Sequence, residues 1–522
     1  MLRSLAPFAA VLFALAAAFA PGRASAYPLD GYEYTGIHRL EVQRQVQTGE
    51  ATGGRKRPSG ELLPMEQVQL RLLEHKDLEL PPPDPALTAA VKRMLGAEAS
   101  RYGIGLLDLS DLSNVRYGEW NGKQHQNPGS VGKLMVALAI FQQLADIYPD
   151  DVAARERVLR QTVISADDFS VYDHHTVPKY DPETGRQWRA PIKKGDRATL
   201  WTYLDWMMSP SSNSAAGMLQ KQIILMKQYG KQYPPSEEED ARFFAETSKT
   251  QLSALFGEVI QGPVTRNGMD ITMMRQGSFF TRQGKIRVPG TSSYATSREL
   301  ILFLLRMEQG LLVDEWSSRE IKRLLYITER RIRYASSGVL RPSAVYFKSG
   351  SLYSCQPEEG FSCKKYHGNK RNYMNSAAIV ESPAGQNRLY YMTTVLSNVL
   401  RKNSAQDHRD LARAIHARLE RDHPMAPVAE GERALSASYG EGFIGYAEER
   451  RAVALKFEIQ EALLDLGYEI GDIDGQIGSK TRSAIRDFEK QQGIAATGQP
   501  SESLLKRMRE VARQKGLARP AP

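Results

Sequence analysis

The sequence predicts an α+β domain built on one antiparallel sheet with helices, followed by a small all-α unit of three helices. Three observations lead there. Strand-like runs at 103–109 and 115–120 precede a long helical middle. Strand candidates return at 344–347, 376–380 and 389–396, before an amphipathic helix over 406–419. The stretch from 451 to 515 carries helical spacing alone. Two strands, a helical middle, three strands and a closing helix fit one antiparallel sheet packed with helices.

Composition sets the outer bounds. The chain has 522 residues, 41% hydrophobic and 25% charged, with a net charge of +9 and 2 cysteines. At roughly 100–200 residues per domain, that length implies two or three domains. The balance of residues excludes collagen, a disordered tail and a multi-span membrane protein. Two cysteines cannot staple a chain this long. The positive charge favours anionic partners without choosing among nucleic acid, membrane and an acidic polymer.

The elements follow in order. Residues 1–26 read as a signal peptide: Arg3, an apolar run from Leu5 to Ala20, then Ala24-Ser25-Ala26 as the cleavage site. The run is shorter than the roughly 20 residues that span a bilayer; a retained anchor is the alternative. Export sets intracellular nucleic-acid roles aside. Residues 27–85 form a weakly patterned extension, with a basic Gly-rich loop at 53–58 and the Pro81-Pro82-Pro83 stop. The first domain, 86–423, opens with a helix near 85–95. A long apolar helix starts at Ser130, with Met135, Leu138, Phe141 and Leu144 at spacing three and Val136 and Ile140 widening the stripe. Further helices are expected at 211–230 and 297–310. A Pro/Ala/Gly/Ser stretch, 424–450, reads as a linker before the helical unit at 451–515 and a short tail, 516–522.

Chemistry concentrates in three places. Ser130-Val131-Gly132-Lys133 sets a hydroxyl and an amine three residues apart at a helix N-terminus, on one face. A neutral lysine there takes the serine proton and makes the hydroxyl a nucleophile. Burial and a second cation both lower the lysine pKa toward that role. The spacing alone is weak, since Ser362/Lys365 and Ser503/Lys506 share it. Ser211-Ser212-Asn213 adds a second hydroxyl and an amide at a loop-to-helix junction, and Lys348-Ser349-Gly350 ends a strand.

Ser-x-x-Lys, then Ser-x-Asn, then Lys-Ser/Thr-Gly is the motif order of penicillin-binding proteins and class A β-lactamases. Residues from about 86 to 422 resemble that β-lactamase/penicillin-binding serine hydrolase family. The resemblance implies Ser130 as the acylated nucleophile and Lys133 as its base. It implies Ser211 as a proton shuttle to the leaving nitrogen, assisted by Lys348. Asn213 would bind the substrate amide, Lys348 and Ser349 would face a substrate carboxylate, and Gly350 completes the motif. The N–H groups of Ser130 and Ser351 would form the oxyanion hole. No metal or organic cofactor is implied.

One departure bears on the activity. Class A β-lactamases carry a Glu between the second and third motifs that activates the deacylating water. Here 259–298 contains no Glu, and Asp270 is its sole acid; a window of that length would hold about four or five at the average frequency. Val264-Thr265-Arg266 resembles the start of the family's loop, which makes Asp270 a candidate deacylation acid, one methylene short. An acyl-enzyme that forms readily and hydrolyses slowly is the expectation.

Other features have plainer readings. His174-His175 lie in a polar segment, 167–181, and are expected to be solvated, with no complete zinc set. Tyr373-Met374-Asn375 mimics a variant second motif in the wrong order. In an oxidising compartment Cys355 and Cys363 would close a short loop; two free thiols are the alternative. The basic run 364–371 is a solvated face or a lure for an anionic polymer.

In the C-terminal unit, Leu466-Gly467-Tyr468, Asp474-Gly475, Ile477-Gly478, Thr481 and Phe488 resemble the peptidoglycan-binding type 1 domain. Most of these explain themselves as core or turn, so they argue fold more than ligand; a spacer or oligomerisation unit is the alternative. The expectation is therefore an exported, cell-wall-associated or periplasmic serine acyl-hydrolase. It would act on D-alanyl peptides of peptidoglycan or on β-lactams, tethered by its binding module, with no nucleic-acid partner and no stable membrane span once the leader is removed. The alternatives are a true β-lactamase and a non-catalytic peptidoglycan-binding protein on the same scaffold.

Overall fold

The structure is a computed structural model that describes residues 30–424 and 446–515, apart from 53, 172, 182, 387 and 471–476. The signal-peptide reading, residues 425–445 of the linker and the Asp474-Gly475 turn fall outside the described residues, while 446–450, read as the end of the linker, already belong to a helix.

The central sheet contains β1 (Tyr102–Asp108), β2 (Arg116–Trp120), β3 (Ala344–Ser354), β4 (Arg371–Ser382) and β5 (Leu389–Asn398). Its spatial order is β2-β1-β5-β4-β3, antiparallel throughout. Alternation divides its side chains between two cores, as a period of two requires. Ile104, Leu106, Val345, Phe347, Val380 and Val395 join one apolar cluster. Leu107, Tyr346, Ile379 and Met392 join the other. The first face is covered by α1 (Pro85–Met94) and the closing helix α2 (Ala405–Asp422) through Leu87, Val91, Leu411 and Ile415. The second face carries the helical middle of the chain.

Within that middle, α3 (Lys133–Ile147) is buried from Lys133 through Leu144, which explains its all-round apolar stripe. It is apolar enough to cross a membrane, yet most of it is enclosed by protein. The helix α4 (Asn213–Tyr229) packs beside it, and α5 (Ser297–Glu308) and α6 (Glu315–Tyr326) complete the layer.

The strands run longer than their apolar stretches. β3 continues through Ser354, so the Lys348-Ser349-Gly350 run lies inside the strand instead of ending it. The reason is pairing: Lys348 faces Ala377 and Gly350 faces Asn375 in register with β4. A two-residue step from Tyr346 to Lys348 keeps the lysine on the helical side.

The extension also differs from its reading as weakly patterned chain. Residues 38–48 form a helix, and Leu40, Leu63, Met65, Val68 and Leu72 are part of the main apolar cluster. Arg39 makes two bonds to the buried Asp205 carboxylate, at 2.8 and 2.6 Å, and a third to the carbonyl of Ile327 at 2.8 Å. The amide of Arg71 donates to Glu308, whose carboxylate, with that of Glu381, flanks the fully buried Lys322 at 2.7 Å each. The segment is built into the domain.

In the C-terminal unit, helices 446–465, 479–491 and 502–514 enclose Ile459, Leu463, Ile485, Phe488, Leu504, Leu505 and Met508. Leu464, one residue from core Leu463, is exposed. Glu489 accepts from Thr497 and from the amide of Gly498, tying the last loop to the second helix.

Candidate active site

Ser130 lies in a single 3-10 turn, Gly129–Gly132, that leads into α3. Its position is fixed by a backbone approach that excludes side chains. A Cβ on Gly350 of β3 would lie 2.1 Å from the carbonyl oxygen of Pro128 and 2.9 Å from the Ser130 nitrogen. Gly129 takes φ 54°, and a Cβ there would meet the Ser351 nitrogen at 2.8 Å. The turn is held from below as well: Gly129 donates to Asn127, and Asn375 of β4 donates to the Asn127 carbonyl at 3.0 Å. Asn375, a false motif by sequence order, is thus a tether for the serine turn.

Lys133 is fully buried, and its Nζ lies 3.1 Å from Ser130 Oγ, 2.6 Å from the Ser211 carbonyl and 2.8 Å from Asn213 Oδ1. Burial pushes this amine down to about 7; Asp173 opposes the shift and Arg330 adds to it. The contacts say where the lone pair of the neutral amine goes. Two carbonyl oxygens can only accept, so they take its two N–H groups, and the lone pair is left for the Ser130 hydroxyl.

Ser211 joins the two lysines. Its Oγ accepts from Lys348 at 2.8 Å and lies 3.4 Å from Lys133. Lys348 is buried and also donates to the Ser349 carbonyl. Burial, then Lys133, Arg330 and Arg333, hold its pKa well below the usual lysine range. Ser349 is buried in the same strand, opposite Ser376, and Ser351 lies at the edge of the site opposite Met374. The cluster therefore unites a hydroxyl, an amine without its full charge, a relay hydroxyl and a second lysine, groups that acyl transfer can use.

The model of the beta-lactamase enzyme family matches residues 86–419. The chain belongs to the beta-lactamase enzyme family. A putative peptidoglycan binding domain matches residues 457–508. No curated protein matches the chain. Similar solved structures include PBP-A, at 13% identity over 66% of this chain and 100% of that one, with a TM-score of 0.41. A beta-lactamase from Sphaerobacter thermophilus DSM 20745 matches at 15% over 66% and 100%, TM-score 0.42. TLA-3 extended-spectrum beta-lactamase matches at 11% over 64% and 98%, TM-score 0.41. By its two matched domains, this is a β-lactamase-like serine hydrolase with a peptidoglycan-binding domain.

The structure does not bring Asp270 to the beta-lactamase cluster. Its side chain is exposed, and its carboxylate accepts from the amide and hydroxyl of Thr272, both at 2.7 Å. Two side chains from a later stretch of the same loop reach the Ser130 turn and Lys133 instead. The ring of Phe280 covers the Lys133 ammonium. Gln276 is buried, and its Oε1 lies 2.4 Å from where a Cβ on Gly132 would be. That oxygen has no hydrogen-bond partner among the described residues. None of the described carboxylates bonds to Ser130 or Lys133.

Two further residues escaped the sequence reading. Arg333 is buried with φ 55°, donating to the Gly350 carbonyl at 2.5 Å and that of Asn375 at 3.2 Å, and adds positive charge behind Lys348. Asp173, from the polar segment read as solvated, binds the N-terminus of α4 at the second motif. His175 donates from its Nδ1 to the Asp173 carboxylate at 2.5 Å, and the His174 ring lies tilted against that of His175. Donor atoms of these three lie within 4.8 Å of one another, but both Asp173 oxygens already serve as acceptors. Three donors fall short of the four-ligand set of structural zinc.

Cys355 and Cys363 form a disulfide, Cα atoms 5.8 Å apart, that closes the loop just past the end of β3. Of the two alternatives left by the sequence, the bridge is the one present.

Proposed function

We propose that this chain is an exported, wall-associated serine acyl-hydrolase that attacks D-alanyl peptides of peptidoglycan or their β-lactam mimics through Ser130. The observation that carries the reading is Lys133 Nζ, set between Ser130 Oγ and two carbonyl oxygens with its pKa brought to about 7. Lys133 takes the hydroxyl proton as Ser130 Oγ bonds to the substrate carbonyl carbon. The amides of Ser130 and Ser351 receive the developing oxyanion. Ser211, bonded to Lys348, passes a proton to the leaving nitrogen, and the C–N bond breaks to leave acyl-Ser130. Asn213 binds the substrate amide, while Lys348, Ser349 and the Gly350 backbone face its carboxylate.

Water must then attack the ester. With Phe280 over Lys133 and Gln276 at the turn, none of the described carboxylates bonds to Ser130 or Lys133 to take the water proton, and this favours slow deacylation. The reading is thus a penicillin-interacting peptidase more than an efficient β-lactamase. The C-terminal module adds effective concentration, since holding one part of the wall polymer keeps Ser130 near its other bonds. A wall or periplasmic location follows from the same partner.

Intact-mass measurement after penicillin exposure tests this. A lasting adduct of one acyl group, absent from Ser130→Ala, is expected. No adduct reduces the chain to a binding protein, and a fleeting one with hydrolysed product makes it a β-lactamase.

A further inference from the structure

We propose that Asp173, from the segment between the first two motifs, is the positioning residue that holds Ser211 and Asn213 in their working geometry. The inference rests on the reading of Ser130 as the acylated nucleophile and deepens it.

Ser211 needs such support. Its φ of 69° lies in the left-handed region, which is sterically unfavourable for a residue with a Cβ. It persists only where its surroundings over-determine it. Those surroundings converge on one carboxylate. Asp173 Oδ2 accepts from Ser212 Oγ at 2.8 Å, from the Asn213 amide at 2.6 Å and from the Ser214 amide at 3.1 Å. Three consecutive residues after Ser211 are thereby fixed to a single oxygen at the start of α4, where amides and the helix dipole favour negative charge. Ser212 Oγ, while donating to Asp173, accepts from the Ala215 amide and caps the same helix. Ser214 Oγ donates to the Ser170 carbonyl, binding the two segments a second time.

The charge reaches the base as well. Lys133 is faced by Asp173, which favours its protonated form, and by Arg330, which disfavours it; Lys348 is the other buried lysine of the cluster. Asp173 itself is faced by His175 and Lys133. Burial works to raise its pKa, but His175, the Ser214 amide and Lys133 together hold it well below the usual range. Asp173 is therefore a fixed anion across the pH range in which Lys133 titrates, so the position of the second motif and the protonation of the base depend on one side chain.

The test is the pH dependence of Ser130 labelling by a fluorescent penicillin in the full chain. Asp173→Asn keeps the shape but removes the charge, and its NH2 must face either the donors on Oδ2 or the His175 ring. It is expected to slow labelling about 100-fold, the scale of a small misplacement at a reacting centre. Its acidic limb is expected to move to lower pH, because Lys133 loses the anion that favours its proton. Ser212→Ala removes one partner and leaves the charge; slower labelling with an unmoved limb is expected, and this variant serves if Asp173→Asn does not fold. Wild-type labelling in Asp173→Asn, a slowed reaction with an unmoved limb in it, or wild-type labelling in Ser212→Ala overturns the inference. If the wild-type chain itself is not labelled, it is the proposed nucleophile that fails, and the inference fails with it.

Discussion

The ring of Phe280 lies over the ammonium of Lys133, its centroid 5.0 Å from Nζ. The three remaining directions around the nitrogen are taken by the Ser211 carbonyl, Asn213 Oδ1 and Ser130 Oγ. A proton leaving or reaching this amine must therefore move by way of a serine hydroxyl, because an aromatic face and two carbonyls cannot relay one.

Acylation should follow the neutral form of Lys133. The labelling rate is expected to rise with pH through about 7, as the amine loses its proton. The same shift acts on stability. The folded state releases this proton near 7 and the unfolded chain near 10.4, so between those values the unfolded state binds more protons. This residue's effect on stability therefore improves as pH rises from 7 toward 10. Lys133→Met should abolish labelling and flatten that rise, measured by urea unfolding at pH 6.5 and pH 9. A wild-type labelling rate independent of pH from 5 to 9 would remove Lys133 as the base.

Gln276 offers a gain of function. Its buried Oε1, without a partner among the described residues, borders Gly132 between Ser130 and Lys133. An amide oxygen can hold a water but cannot take its proton, whereas a carboxylate of the same length can. Gln276→Glu is expected to shorten the lifetime of the acyl-enzyme at least about tenfold, the lower end of general-base effects. Acylation should be unchanged within about twofold, and Gln276→Ala should give no gain. Adduct decay followed by intact mass reads both. Equal lifetimes in wild type and Gln276→Glu would show that the limiting group lies elsewhere.

The sheet and the three motifs were legible because their signals are local. Alternation places Lys348 two residues past Tyr346, and the three-residue spacing of Ser130 and Lys133 survives even though the first turn is 3-10 and not α. Asp173, Arg333 and Gln276 were not legible for the opposite reason. Their partners lie 17 to 42 residues away for Arg333 and about 40 for Asp173, and Gln276 meets Gly132 from a separate loop. Tertiary contacts of single polar residues leave no periodic trace. Asp270 lies near the place that the resemblance implied, but its side chain turns to Thr272. The extension misled because the helix at 38–48 buries only Leu40 and Val46, too few for an apolar stripe.

That extension is expected to be indispensable. Asp205 is fully buried, and Arg39 neutralises it with two bonds. Removing one partner of such a pair leaves an uncompensated charge and costs about 3–5 kcal/mol. Arg39→Ala should therefore lower the urea midpoint markedly, and Asp205→Asn in the same chain should recover part of the loss. A chain starting at residue 86 should expose the surface that Leu40, Val68 and Leu72 cover and fail to fold. Unchanged midpoints in Arg39→Ala would mean that water replaces the arginine.

Gly350 links the third motif to the Ser130 turn through backbone alone. The atoms that a Cβ would meet are the Pro128 carbonyl oxygen, at 2.1 Å, and the amide nitrogens of Val131 and Ser130, at 2.8 and 2.9 Å. None of these is the end of a flexible side chain, so relief must come from moving strand and turn apart. Gly350→Ala is expected to destabilise the domain by about 1–3 kcal/mol, the usual range for overpacking. The larger effect should fall on acylation. Separation of Ser130 from Ser351 spreads the two amides that would receive the oxyanion, and a lost donor of that kind costs on the order of 100-fold in rate. Penicillin labelling should therefore drop about 100-fold in a protein that still unfolds cooperatively, while Ser349→Ala, one residue earlier, removes a hydroxyl without adding an atom and should leave the melting temperature closer to wild type. Labelling of Gly350→Ala at the wild-type rate would show that the contact of turn and strand is not what holds the oxyanion site together.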